Sequence, residues 1–348
     1  MPKISFCITC MNRLEHLKKT LLINITSALV DYENIEFVLL DYNSSDGLSE
    51  WVLANMKREI DLTILKYFQT FEPLFYQRSH SRNMAFRLAS GDILVNIDAD
   101  NFLGTGFVKS IIENMIEGVY MAVEEQPFGE SRFKDVMGRI CVWKKDFLNV
   151  RGYDENMAGY GFEDTDLKAR LKKSGLKTIP IKKPIFLKSI KHDNYIRIEN
   201  EGLNKNIHSV AVRQLKPFSS EVFFFFQNNL YEKATIIDTF FGGGFSEKIK
   251  VINKQNQVVI KELSNGYWIQ KGDDLRIDKH LQISINDDSL QWFYPSDSKI
   301  LTELIYTFSA LKNKKKYFEN LTNQHSWINR KGFGQGNVLK NFKEKIVV

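Results

Sequence analysis

The chain has 348 residues, of which 43% are hydrophobic and 26% charged, and its formal net charge is +6. This composition is typical of a globular protein and argues against a disordered chain. No apolar stretch reaches the roughly 20 residues that a membrane-spanning helix needs, and the apolar run at 4–9 is shorter than a secretory signal requires. We therefore expect a cytoplasmic protein, and, without a helix-turn-helix, zinc-finger or RNP pattern, no nucleic-acid partner.

Short apolar runs alternate with helical patterns through the first 200 or so residues, which is typical of βαβ units. Strands are predicted over 4–9, 37–41, 62–68 and the run that ends before Asp98, and helices over 14–29, 51–60 and 81–88. Ser81 is predicted to cap the last of these helices and Gly91 to end it. The alternation predicts an α/β domain with a mostly parallel central sheet and helices on both faces.

The pattern changes after Pro217, where short strand candidates are separated by turn residues. They lie at 221–227, 235–240, 248–253, 257–263, 267–270, 281–285 and 290–294, with turns that include Asn265-Gly266, and a helix is predicted over 299–317. We predict a first domain over 1–217, with a helical connector from about 199 to 215, and a β-rich α+β module over 218–348. The aromatic run 223–226 is either core or a membrane-facing patch.

Polar residues follow the ends of three predicted strands, at 9–13, 41–46 and 98–100. In parallel sheets the ligand crevice lies beyond the carboxyl ends of the strands, so these segments are expected to converge. Asp98 and Asp100 would project together if the strand geometry continued through them. Such a pair suits a divalent cation that carries phosphate oxygens, whereas the alternative is a polar turn.

Four motifs carry further chemistry: Thr9-Cys-Met-Asn-Arg13, Asp41-Tyr-Asn-Ser-Ser-Asp-Gly47, Ser81-Arg-Asn83 followed by Asp98-Ala-Asp100, and Gly159-Tyr-Gly-Phe-Glu-Asp164. Together they resemble the inverting nucleotide-sugar glycosyltransferases of family 2, which have the GT-A fold, and the last motif resembles galactosyltransferase-like members. The resemblance covers about residues 3–195. The chain departs from the family pattern at Thr9, Met11 and Tyr42.

The resemblance implies roles for individual residues. It implies nucleotide-sugar contacts for Thr9, Asn12, Arg13, Asp41, Ser45, Asp46, Arg82, Asn83, Asp98, Ala99 and Asp100. It implies a Mn²⁺ or Mg²⁺ site formed by Asp100, Asp98 and His192. A cap on the following helix is the structural alternative for Asp46 and Ser45.

The fourth motif implies the acceptor side of the site. Sugar contacts are expected from Trp143, Gly159, Tyr160, Gly161 and Phe162. Asp164 is the expected catalytic base, and Glu163 is expected to hold a sugar. An acidic helix N-terminus is the alternative for both carboxylates, because negative charge is favourable at that end of a helix.

The implied activity is the inverting transfer of a hexose or N-acetylhexosamine from a UDP-sugar to a hydroxyl of a glycan or glycoconjugate, in surface polysaccharide or glycan synthesis. An inactive carbohydrate-binding protein on the same scaffold is the main alternative, and a nucleotidyltransferase is disfavoured because residues 10–14 contain no glycine. The C-terminal module is expected to bind the acceptor, to form a homo-oligomer or to dock on the inner face of the membrane. Residues 331–336 could form a loop that closes over the diphosphate.

Overall fold

The structure is a computed structural model that describes residues 1–124, 135–216, 219–238, 258–272, 274–277, 281–284, 292, 294–322 and 328–348. By their contacts the described residues divide into two compact units. Unit 1 comprises Met1–Ala158, Phe162–His192 and Tyr317–Val348, and unit 2 comprises Gly159–Gly161 and Asp193–Lys316. The main division therefore falls at residue 193 rather than at the predicted 217, and the C-terminal residues return to unit 1.

Unit 1 contains a large mixed sheet and a separate two-stranded sheet. Its strands are β1 (Ile4–Cys10), β2 (Ile35–Tyr42), β3 (Leu65–Thr70), β4 (Ile93–Asn96), β5 (Asn101–Phe102), β6 (Val119–Ala122), β7 (Ile140–Trp143), β8 (Lys177–Pro180), β9 (Lys188–Ser189), β16 (Asn337–Lys340) and β17 (Glu344–Val347). Its helices are α1 (Leu14–Asp31), α2 (Leu48–Asn55), α3 (Lys57–Asp61), α4 (Arg78–Leu88), α5 (Phe107–Asn114), α6 (Lys144–Asn149) and α7 (Glu163–Lys173). A 3-10 turn covers Pro184–Phe186.

The predicted α/β architecture of this unit is confirmed. The sheet order is β17-β16-β3-β2-β1-β4-β7-β6-β8, and the central strands β3, β2, β1 and β4 are parallel. The chain moves outward from β1 to β2 and β3, and then crosses back to place β4 on the other side of β1. This reversal puts the topological switch point between β1 and β4, where open α/β sheets bind ligands.

Alternating side chains of the strands build a core on each face of the sheet. Phe6, Ile8 and Leu39 pack with α1 and α5 on one face, whereas Cys7 and Leu40 pack with α4 and α7 on the other. Buried apolar residues on both faces explain why these strands read as continuous hydrophobic runs in the sequence.

One local prediction in unit 1 was wrong, and two short strands were not predicted. Ser81 lies inside α4, which begins at Arg78 after Gln77, so it is not the N-cap. No strand was predicted after the helix over 299–317, but β16 pairs antiparallel with β3 and β17 pairs with β16. Short strands of this kind need a neighbouring sheet edge for their hydrogen bonds, which is invisible in the local pattern.

Unit 2 contains a six-stranded antiparallel sheet. Its elements are α8 (Asn194–Ile198), α9 (Gly202–Lys205), β10 (Ile207–Lys216), β11 (Ser219–Phe226), β12 (Leu230–Asp238), β13 (Val258–Lys271), β14 (Asp274–Ile277), β15 (Leu281–Ser284) and most of α10 (Ser298–Thr322). The predicted β-rich module is confirmed. Phe224 stacks on Phe308 of α10 with ring centroids 4.2 Å apart, and Phe223 and Phe225 are also buried, so the aromatic run is core.

Two predictions in unit 2 were wrong, and others lie outside the described residues. The helical connector predicted up to about 215 is strand β10 from Ile207, because its alternating apolar residues pair with β11. The turn predicted at Asn265-Gly266 lies within the continuous strand β13. The strand predicted at 248–253 is outside the described ranges. None of the described helices is both long and apolar enough to cross a membrane.

Candidate functional site

The loops after β1 and β2 meet at the carboxyl ends of these strands, as the convergence of strand ends predicts. Asn12 Oδ1 accepts a hydrogen bond from Ser45 N at 2.7 Å, and Ser44 Oγ accepts one from Asn12 N at 2.9 Å. Asp46 Oδ2 accepts a hydrogen bond from Leu14 N at 2.8 Å. Asp46 therefore caps α1, whereas the sequence predicted a cap on the helix that follows it.

Two residues predicted to contact the nucleotide are buried and already hydrogen-bonded. Asp41 is 0% exposed, and its carboxylate accepts hydrogen bonds from Tyr67 Oη at 2.6 Å and Ser44 N at 2.8 Å. Asn83 is also 0% exposed, and its amide bonds the backbone of Tyr153 and the carboxylate of Glu155. Both side chains hold the loops around the crevice, and their predicted nucleotide contacts stay predictions.

Thr9 and Arg13 flank the same crevice. Thr9 Oγ1 lies 2.8 Å from Tyr76 Oη, and Ser81 Oγ donates to it at 3.3 Å. Arg13 Nη1 donates to Asn12 O at 2.9 Å. The structure thus places Arg13 against Asn12 and Thr9 against Tyr76 and Ser81, and the nucleotide contacts of Thr9 and Arg13 stay predictions.

Arg82 lies at the centre of a cluster of charged side chains whose pairing could not be predicted from the sequence. Its Nη1 donates to Asp164 Oδ1 at 2.7 Å and to Glu163 Oε1 at 3.0 Å, and its Nη2 donates to Asp98 Oδ1 at 2.9 Å. We call Arg82, Asp98, Glu163 and Asp164 the carboxylate cluster. One buried guanidinium thus joins the strand end after β4 to the start of α7.

The members of the cluster differ in exposure and in pKa. The Arg82 and Glu163 side chains are 3% and 5% exposed, whereas those of Asp164 and Asp98 are 19% and 32% exposed. Burial raises the pKa of Asp164 to about 6, with Arg82 opposing the rise and Glu163 adding to it. Burial also raises the pKa of Asp98, but Arg82 more than offsets this and leaves that pKa below its ordinary value. Two nearby aspartates thus have pKa values pushed apart, which is the pattern of divided acid–base roles.

Gly138 leaves the space in which the cluster sits. A Cβ at this position would lie 2.9 Å from Arg82 Nη2, 3.1 Å from Asp98 Oδ2 and 3.2 Å from Asp164 Oδ2. Any side chain would therefore press on three of the four cluster members. Sequence reasoning missed this glycine, because nothing in its local pattern shows what the fold brings beside it.

Asp100 is directed away from the cluster, to His192. Strand β4 ends at Asn96, and Asn101 N bonds back to Asp98 O, so residues 98–100 form a turn instead of an extended strand. Asp100 Oδ2 lies 2.8 Å from His192 Nε2, and its Oδ1 accepts a hydrogen bond from Asn101 Nδ2. The two aspartates therefore face different partners, and Ala99 between them is held by Thr20 Oγ1 at its carbonyl oxygen.

Asp100 and His192 are the two predicted metal ligands that contact each other. A carboxylate oxygen and an imidazole nitrogen at hydrogen-bond distance are donor types that Mn²⁺ accepts, and the diphosphate and water can supply further oxygens. In the described part of the chain, no group of three or more His, Cys, Asp or Glu side chains has metal-binding geometry. The structure thus brings together two of the three predicted ligands, and Asp98 is held by Arg82 instead.

Trp143 was predicted to contact a sugar, and the structure places it away from the other residues of the site. Strand β7 runs antiparallel to β4, so Trp143 pairs with Ile93 at the start of β4, whereas Ile140 pairs with Asn96 at its end. Three residues of strand, about 10 Å, separate Trp143 from the end of the sheet that carries the site. Its Nε1 donates to Ile116 O.

The aromatic–glycine motif is divided between the units. Phe162 belongs to unit 1 and precedes α7 with φ +67°, and its ring lies 6.0 Å from that of Tyr317. Gly159, Tyr160 and Gly161 belong to unit 2, where Tyr160 lies 4.5 Å from the Tyr306 ring. Tyr160 N donates to Ser309 Oγ, and Gly161 O accepts from Asn313 Nδ2. These contacts hold the motif in place, and its sugar contacts stay predictions.

Two family sequence models match this chain. Residues 5–149 match the model of Glycosyl transferase family 2, and residues 121–205 match the model described as the N-terminal domain of galactosyltransferase. The first match covers Arg82, Asp98 and Asp100, and the second covers Glu163, Asp164 and His192. This part of the chain is a glycosyltransferase domain. A comparison with curated protein sequences gives no match.

Solved protein structures show distant likenesses to this chain. A mannosyltransferase from Pyrobaculum calidifontis, in complex with GDP-Man and Mn²⁺, has a TM-score of 0.46 and 18% identity over 56% of this chain and 59% of its own. S. aureus TarS 1-349 in complex with UDP has a TM-score of 0.40 and 15% identity, over 51% of this chain and 57% of its own. The catalytic domain of Drosophila β1,4-galactosyltransferase 7 in complex with xylobiose has a TM-score of 0.41 and 16% identity, over 58% of this chain and 75% of its own. The chain thus spans less than two thirds of the first two proteins, and the assignment above rests on the family models.

Proposed function

We propose that the glycosyltransferase domain transfers a hexose or N-acetylhexosamine from a UDP-sugar to a hydroxyl group of a glycan or glycoconjugate, with inversion at the anomeric carbon. The observation that carries this proposal is the carboxylate cluster, in which a partly exposed Asp164 with a raised pKa sits on a buried arginine. Surface polysaccharide or glycan synthesis at the cytoplasmic face of a membrane is the setting that we propose for it.

Asp164 is the proposed general base. A base works best when its pKa lies near the working pH, and a pKa of about 6 meets this condition far better than that of an ordinary aspartate. Arg82 holds Oδ1 of Asp164, which leaves Oδ2, the atom nearest Gly138, to accept the proton of the acceptor hydroxyl. The hydroxyl oxygen then attacks the anomeric carbon, and a single displacement inverts its configuration.

Glu163 and Asp98 are proposed to position the sugars. Glu163 Oε1 is held by Arg82, and its Oε2 is buried without a hydrogen-bond partner among the described residues. A sugar hydroxyl that donated to Oε2 would remove the cost of that unsatisfied oxygen. Asp98 shares Arg82 with Asp164, so a donor sugar or ribose bound at Asp98 would lie beside the base.

Asp100 and His192 are the residues that would hold Mn²⁺ or Mg²⁺. When bound, the cation would neutralise charge on the departing diphosphate. His192 and Asp100 would orient the diphosphate end of the donor. Asn12, Arg13 and Ser45, which line the neighbouring loops, are proposed to contact the nucleotide.

Replacement of the base tests this proposal. The variant Asp164→Asn is expected to lose sugar transfer by at least about a thousandfold, because an amide cannot accept the proton, while UDP binding with Mn²⁺ stays within about threefold. Donors and acceptors are first identified from thermal shifts with nucleotide sugars, because bound ligand raises stability by mass action. The exposed Asp61→Asn is the matched control.

Near-normal turnover by Asp164→Asn would refute the assignment of the base. A wild-type protein that binds glycans but neither transfers nor hydrolyses any donor would favour the alternative of an inactive carbohydrate-binding protein.

A further inference from the structure

The C-terminal residues 328–336 lie beyond both family matches, yet they contact residues 151–155, which precede α7 in the chain. Asn329 Nδ2 donates to Arg151 O and to Tyr153 O, each at 2.7 Å, and its Oδ1 accepts from Glu155 N at 3.1 Å. Arg151 in turn donates through Nε to Ile328 O at 2.7 Å. Hydrogen bonds from Ile328 and Asn329 therefore hold the segment against residues 151–155.

Glu155 links this segment to helix α4. Its Oε1 accepts hydrogen bonds from Gly334 N at 2.6 Å and from Asn83 Nδ2 at 2.8 Å. Asn83 is the residue next to Arg82, the cation of the carboxylate cluster. A single carboxylate oxygen thus joins the C-terminal segment to the helix that carries Arg82.

The segment also lies directly against the backbone of α4. A Cβ at Gly334, which has φ +59°, would lie 2.6 Å from Asn83 C and Met84 N. Backbone atoms inside a helix cannot move aside as the end of a side chain can, so only glycine allows this approach. From the other side, a Cβ at Gly152 would lie 2.5 Å from Asn83 Oδ1 and 2.9 Å from the Phe333 ring.

The contacts run along one face of α4. Gln335 O lies 2.9 Å from His80 Nε2, and Phe333 O accepts from Arg87 Nη1 at 2.7 Å. Positions 80, 83 and 87 follow the three- and four-residue spacing of a single helix face. The segment therefore holds α4 over two turns, while Arg82 projects from a neighbouring face into the cluster.

We propose that residues 328–336 are a positioning element of the glycosyltransferase site, which acts through Glu155 and Asn83 to hold Arg82 between Asp98 and Asp164. The expected effect on kcat rests on the proposed function, whereas the positioning of α4 can be measured whether or not the protein transfers a sugar. None of the residues of this segment needs to touch a substrate. The arrangement also makes the segment a fixed support of α4, in contrast to the loop closing over the diphosphate that the sequence suggested.

The first test uses Glu155. We expect Glu155→Ala to lower kcat for sugar transfer at least tenfold, with KM for the donor changed less than threefold, because the base is misplaced while the nucleotide loops keep their contacts. Glu155→Gln keeps an acceptor oxygen at the position of Oε1 and is expected to retain kcat within threefold of wild type. Equal damage by Ala and Gln, or no damage by either, would overturn the proposal.

The second test uses Gly334 and remains decisive if Glu155→Ala does not fold. Gly118→Ala is the matched control, because Gly118 also has a positive φ (+81°) but a Cβ there meets no atom within 4 Å. Hydrogen exchange of the α4 amides is expected to accelerate at least tenfold in Gly334→Ala and to stay within twofold in Gly118→Ala. Unchanged exchange in Gly334→Ala would refute the positioning of α4. If exchange accelerates in Gly334→Ala but the wild-type protein transfers no sugar, the positioning of α4 is supported and the proposed function is rejected.

Discussion

Removal of the Arg82 guanidinium is expected to destabilise unit 1 in a pH-dependent way. In Arg82→Met a side chain of similar length leaves Asp98, Glu163 and Asp164 without the cation that they share. Breaking a buried ion pair by removing one partner typically costs about 3–5 kcal/mol. Asp98 and Asp164 are partly exposed and can regain water, whereas Glu163 cannot, so we expect a loss near the lower end, about 3 kcal/mol at neutral pH.

The sign of the pH dependence follows from the charges. Without Arg82 the pKa values of Asp98 and Asp164 rise in the folded state, because Arg82 lowers both, so the folded variant binds more protons than the folded wild type does. Stability then falls as pH rises wherever the folded state binds more protons than the unfolded state. The loss relative to wild type is therefore expected to be smaller at about pH 5 than at about pH 7.5, by roughly 1 kcal/mol for each carboxylate whose pKa moves by about one unit.

Urea-induced unfolding at the two pH values, analysed by linear extrapolation, measures both quantities. The exposed Arg58→Met is the control for loss of one positive charge and is expected to change the free energy of unfolding by less than about 0.5 kcal/mol. A loss below about 1 kcal/mol for Arg82→Met at neutral pH, or a loss that grows as the pH falls, would refute the picture of a buried cation that stabilises these carboxylates.

Four further outcomes are expected. Gly138→Ala should fold with a stability loss of about 1–3 kcal/mol, the usual cost of overpacking, but should lower kcat/KM at least tenfold, and normal kcat/KM would show that the cluster tolerates a side chain there. Because Asp164 must be deprotonated to act, kcat/KM should rise with pH through about 6 and level off above it, whereas a flat profile between about pH 5 and 8 would exclude it as the titrating base. His192→Ala should weaken Mn²⁺ binding, measured by calorimetry with UDP present, at least tenfold, and unchanged binding would remove His192 from the metal site. Trp143→Phe should keep kcat/KM within about twofold, since its side chain lies about 10 Å along the strand from the site.

Much of the fold was predictable because its signals are local. Runs of apolar residues such as 4–9 and 37–41 predict buried strands whatever surrounds them, and the helical spacing from Leu14 predicts α1 in the same way. The alternation of these elements then predicts the parallel sheet and its crevice. The short strands β16 and β17 were not predictable, since their hydrogen bonds depend on the edge that β3 offers.

The site was predictable as a list of residues but not as an arrangement. Resemblance to family 2 glycosyltransferases, now confirmed by the family models, indicated Arg82, Asp98, Asp100 and Asp164. Which of them pair is decided by the tertiary structure, because β4 ends at Asn96 and the turn after it sends Asp98 to Arg82 and Asp100 to His192. A side chain's direction beyond a strand end depends on the turn, which a period of two residues cannot describe.

The sequence by itself determined the βαβ order, the enzyme family and the residue types that carry the chemistry, since each of these is encoded in short contiguous patterns. Only the tertiary structure decided that one guanidinium joins carboxylates from two distant segments, that Gly138 makes room for them, and that residues 328–336 lie against α4. These contacts connect positions up to about 250 residues apart, as between Asn83 and Gly334. Burial, and with it the raised pKa of Asp164, exists only after such segments have packed together.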